Sequence, residues 1–85
     1  MTKEEFNIAF NKELDSWAQG DTADFRKHIS YDAKNDRVII YDHHYCTVSP
    51  SEVENMTETM LYYITYLTYR TASMFYYYAG EGEAK

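Results

Sequence analysis

No glycine or proline interrupts the chain between Pro50 and Gly80. The stretch opens with a strong helix start. Ser49 serves as N-cap, Pro50 takes the first helical position, where its missing N–H costs nothing, and Glu52 closes a capping box. The sequence therefore predicts one helix from Ser51 to Ala79, with Gly80 beyond its end. At 1.5 Å per residue it is about 44 Å long. A compact domain of this chain length is only about 30 Å across. A helix that overshoots its own domain needs something to lie against.

Placed at about 100° per residue, Val53, Met56, Met60, Ile64, Leu67, Thr71, Met74 and Tyr78 share one face. That face is the expected core side. Asn55, Glu58, Tyr62, Tyr66, Tyr69, Ser73, Tyr76 and Tyr77 fall opposite. This second face starts polar and becomes a ladder of tyrosines, with "FYYY" as the overshooting end. Tyrosine brings a large apolar area, little rotamer entropy and a hydroxyl that finds a partner. Tyr62, Tyr66, Tyr69, Tyr76 and Tyr77 are thus the candidate interface.

The rest of the chain reads as an α+β domain over residues 1–80, followed by a disordered tail, 81–85. Thr2 and Glu5 have capping-box spacing. Phe6, Phe10, Leu14 and Trp17 then form a helical apolar stripe, ended by Gly20 as a left-handed cap. From Phe25 the period changes to two, with Lys27, Ile29 and Tyr31 alternating against Arg26, His28 and Ser30. The turn residues of "DAKND" and the β-rich "RVIIYDHHYCTV" complete a hairpin, or a small antiparallel meander if Asp42 bends the chain. The expected order is α-β-β-α. Double-stranded-RNA-binding domains share a similar order, but they need basic side chains on the second helix. Glu52, Glu54 and Glu58 stand there instead.

Charge narrows the function classes. The chain carries 14 acids and 8 bases, a net charge of −6. Free nucleic acid is excluded as a partner, because its phosphates demand a basic footprint. From Val38 to Tyr69 there is no lysine or arginine, while Asp42, Glu52, Glu54 and Glu58 are acidic. This half is either a solvated surface or the counterpart of a basic protein, which the chain would then inhibit. The stretch from Thr59 to Ala79 has one charge, Arg70, yet tyrosine, threonine and serine fill half of it, so no membrane span is expected. The N-terminus has acids and no long apolar run, unlike a signal peptide. With the single cysteine, Cys46, this fits a cytoplasmic protein.

Chemistry is sparse. "YDHHYC" puts Asp42, His44 and Cys46 on one face of a strand, a set of O, N and S donors suited to zinc. A hairpin turning at Ala33–Asp36 brings His28 to Ile40 or Tyr41, short of His44, so no further donor joins them. Cys46 and His44 lack an orienting group and an oxyanion hole. The three glycines sit at helix ends or in the tail, away from any phosphate loop. No cofactor or bound metal is expected.

The reading is a non-catalytic interaction protein. It is expected to form a homo-oligomer, a dimer first, through the tyrosine-rich helix, since a lone core of this size is marginal. A short, acidic, tyrosine-rich chain of this kind also suits a bacteriophage product. Two other readings stand beside it. One is a nucleotide or other small ligand clamped at a subunit interface by tyrosines and Arg70. The other is a metal-dependent enzyme around Asp42, His44 and Cys46.

Overall fold

The computed structural model describes residues 1–41, the backbone of 43–45, and residues 53–78. Helix α1 (Lys3–Trp17) and helix α2 (Asp21–Arg26) precede strands β1 (Ile29–Asp32), β2 (Arg37–Ile40) and β3 (His43–Tyr45). Helix α3 (Glu58–Tyr78) closes the described chain. The α+β layout is the expected one, with the strands in the antiparallel order β1-β2-β3.

Helix α1 starts as its sequence dictates. The Glu5 amide donates to the Thr2 hydroxyl at 3.1 Å, and the Thr2 amide donates to the Glu5 carboxylate at 3.0 Å. These bonds hold the Glu5 carboxyl below its ordinary pKa. Phe6, Phe10 and Leu14 are fully buried. The helix ends at Trp17, and Gly20 does have a left-handed φ of 58°. It acts, however, as the N-cap of α2 rather than as the cap of α1.

Helix α2 corrects the period-two reading from Phe25. That residue is helical, and the alternation begins only at Ile29. The Thr22 hydroxyl accepts from the Gln19 amide and donates to the Trp17 carbonyl, which turns the chain between α1 and α2. Arg26 then ties three segments together. Its guanidinium donates to Asp15 (2.8 Å), Asn11 (2.9 Å) and the Ile29 carbonyl (3.0 Å).

In the sheet, Ile29 pairs with Ile40 and Tyr31 with Val38, all four facing the core. The Asp32 carboxylate accepts from the Lys34 and Asn35 amides and shapes the turn. Asp36 sits at φ 52°, and its carboxylate accepts from the buried Tyr31 hydroxyl at 2.6 Å. Tyr41, also at positive φ, leads into β3, whose Ile39–His44 register matches the expected meander.

The long helix is shorter than its sequence predicts. Val53 and Glu54 are helical, Asn55 turns, and the helix restarts at Glu58. Thr57 makes the new start: its hydroxyl accepts from the Met60 amide, and its carbonyl from Leu61. Asparagine and threonine compete for backbone bonds in this way, although neither is a formal breaker. The break lets Val53 turn into the core, and the N-terminal ammonium takes the Val53 and Glu54 carbonyls. Helix α3 is then about 31 Å long and no longer overshoots. The predicted Ser49 cap, Pro50, the Gly80 end and the 81–85 tail lie outside the described residues.

Candidate interaction face on helix α3

Helix α3 is rolled by roughly 100°, one residue position, from the expected orientation. Ile64, Thr65, Thr68, Tyr69 and Ala72 are buried. Leu67 and Met74, expected inside, are 49% and 53% exposed, and Tyr78 is 83% exposed. The reason lies in what each face offers the neighbours. Threonine and alanine allow the helix to approach closely, and Tyr69 has partners only on this side. Its ring packs on Trp17 and Phe25, and its hydroxyl donates to the Leu14 carbonyl at 2.5 Å. The Thr68 hydroxyl is satisfied by the Ile64 carbonyl.

This roll corrects two of the five predicted interface tyrosines. Tyr69 is 4% exposed and belongs to the core. Tyr76 is half-buried on Phe25, and its hydroxyl donates to Asp24. Tyr62, Tyr66 and Tyr77 do face outward. The "FYYY" end is divided: Phe75 and Tyr76 lie partly buried against the molecule, while Tyr77 and Tyr78 are exposed. Phe75 packs against the core and near Tyr41, and the Tyr77 hydroxyl bonds Asp21. That bond raises the Tyr77 pKa. Burial pushes the Tyr69 hydroxyl to about 12, and burial followed by the Asp36 bond raises that of Tyr31.

The outer face of α3 therefore carries Tyr62, Tyr63, Tyr66, Leu67, Met74, Tyr77 and Tyr78, all exposed. Tyr63, Leu67, Met74 and Tyr78 are additions to the expected set. The signal that points to them is the spacing Thr65–Thr68–Ala72, a stripe of small residues suited to close packing. Arg70 is the one charged side chain between Thr59 and Tyr78, and it is exposed at the centre of this face. Among the described residues it makes no hydrogen bond or ion pair.

The remaining candidate positions fall in part outside the described residues. Glu54 and Glu58 are exposed. Asp42, Cys46 and Glu52 lie outside the described residues, as does the His44 side chain, so the predicted zinc-donor set is not described. Among the described residues, no three of His, Cys, Asp and Glu lie close enough to hold a metal ion. No helix among them is long and apolar enough to cross a membrane. Of the tyrosines that could clamp a small ligand beside Arg70, Tyr69 is taken up by the core. Comparison with protein families, curated proteins and solved structures finds no match to this chain.

Proposed function

We propose that this protein is a non-catalytic protein-binding module whose binding element is the outer face of α3. The observation that carries this reading is the inverted polarity of the helix. It buries Thr65, Thr68 and Ala72 while exposing Leu67, Met74 and five tyrosines. Burying apolar surface drives folding, so a chain that leaves this much outside forgoes stability unless a partner covers it. Tyrosine is the side chain that tolerates both states, wet when free and packed when bound.

The test is native mass spectrometry of the whole chain beside a Tyr63→Ser/Leu67→Ser/Met74→Ser variant. The wild type should form assemblies or retain co-purified protein that the variant loses, with the two circular dichroism spectra alike. Identical mass spectra with identical folding would sink the reading.

A further inference from the structure

We infer that the occupant of the α3 face is a second copy of this chain, paired antiparallel about the mid-level of the helix. The inference rests on the binding-module reading above and names its partner and arrangement.

Area is the first argument. Taking roughly 200 Å² for each of the seven large side chains, their exposed fractions leave about 750 Å² on the outward side of the helix. A standard interface takes about 800 Å² from each partner. One face of one helix thus supplies nearly a full half-interface.

Charge is the second argument. Two molecules of net charge −6 repel each other over most of their surface. From Thr59 to Tyr78 there is no acid, and Arg70 contributes one positive charge. Self-repulsion is therefore weakest across this face. A basic partner would find carboxylates only at the two ends of the face, Asp21 beside Tyr77 and Glu58 at the helix start, and a strongly acidic one would find a single cation.

Arg70 also sets the direction. In a parallel pair the two guanidinium groups would meet at one level, and the two helix dipoles would align unfavourably. Helix α3 spans 58–78, so full antiparallel overlap puts the two-fold axis at the level of residue 68, with Thr68 itself turned to the core. Arg70 of each copy then lies opposite Tyr66 of the other, where a guanidinium packs on an aromatic face. Thr59 falls opposite Tyr77, on the same line of the exposed surface. The contact is isologous and closes as a dimer.

The experiment uses full-length chains with Cys46→Ser. One carries Thr59→Cys, the other Tyr77→Cys, and a short thiol-to-thiol cross-linker is added to each alone and to the mixture. In the antiparallel pair two Thr59 positions are about 27 Å apart along the helix, so neither variant should cross-link with itself. The mixture should give a product containing one chain of each. Self-cross-linking of both variants, with none in excess in the mixture, overturns the arrangement.

Sedimentation provides the second arm. The wild type should be dimeric at high micromolar concentration, and Arg70→Glu should raise the dissociation constant at least tenfold. A strictly monomeric wild type overturns the second copy as occupant. The binding-module reading survives that result if the Tyr63/Leu67/Met74 variant still loses a co-purified protein, and falls with it if the variant loses nothing.

Discussion

The Tyr69 hydroxyl closes the end of a helix that lies 55 residues away in sequence, by donating to the Leu14 carbonyl. The Ala18 amide, which would have bonded Leu14 in a further turn of α1, bonds Asp15 instead. Helix ends leave carbonyls without intrahelical partners, and a buried one must be satisfied. Tyr69→Phe keeps the ring packing and removes only this bond. It should cost about 1–2 kcal/mol, or several degrees in the thermal midpoint. An unchanged melting curve would show that water replaces the hydroxyl at no cost.

The same residue shapes the response to alkali. An unfolded tyrosine ionises near pH 10, whereas burial pushes Tyr69 up to about 12 and also raises Tyr31. The folded state thus holds protons that the unfolded state releases. The stability linked to these groups is complete below pH 10 and is lost as pH rises through about 12. Circular dichroism and tyrosinate absorbance followed together should show exposed tyrosines ionising first, then a cooperative step with loss of helix. Tyr69→Phe should reduce the steepness of that loss. Ionisation of every tyrosine in one step near pH 10 with helix intact would contradict the buried assignments.

Thr65 presents the reverse case. It is fully buried, and its hydroxyl oxygen has no hydrogen-bond partner among the described residues. An unsatisfied buried hydroxyl costs about 1–3 kcal/mol, and replacing it by a methyl group of the same shape removes that cost. Threonine and valine have similar helix propensities. Thr65→Val should therefore raise the unfolding midpoint in denaturant, by about 1 kcal/mol or more in stability. A loss of stability would show that the hydroxyl has a partner.

Asp21 and Asp24 should hold the last turns of α3 through Tyr77 and Tyr76. These contacts are at the surface, so Asp21→Asn/Asp24→Asn should change global stability by less than about 1 kcal/mol. Its effect should be local. Amide exchange should speed up in the turn around Phe75–Tyr78 and remain unchanged in α1. The Tyr77 hydroxyl should also ionise at lower pH, since the Asp21 bond is the main cause of its raised value. Uniform acceleration of exchange across the molecule would mean that α2 secures the whole fold.

Much of this architecture was legible from local chemistry. The Thr2–Glu5 box, the Phe6–Phe10–Leu14 stripe and the Asp-rich turn each depend on residues close in sequence, and each forms as expected. Three features were not legible, the first being α2, which takes up Phe25 where alternation pointed to a strand. The break before Glu58 depends on Val53 and the N-terminal ammonium, which are brought together only by the tertiary fold. The roll of α3 depends on how closely α1 and α2 approach it. Periodicity located both faces of the helix but ranked them by hydrophobicity. Tyr69 reverses that ranking, because its hydroxyl has a buried acceptor on only one side.

That reversal makes Leu67 the sharpest probe of the fold. Were Leu67 a core residue, Leu67→Ser would leave a cavity and a buried hydroxyl and cost several kcal/mol, as large-to-small core changes do. In the structure its side chain is half in water, so the monomer should lose less than about 0.5 kcal/mol. Self-association alters the expectation in a way that concentration reveals. Anything that binds only the folded state stabilises it by mass action. The wild-type midpoint should therefore climb with protein concentration, while that of Leu67→Ser should climb less. The two should converge on dilution to the monomer. A midpoint for Leu67→Ser that lies far below wild type even at high dilution would put Leu67 back in the core and the α3 face with it.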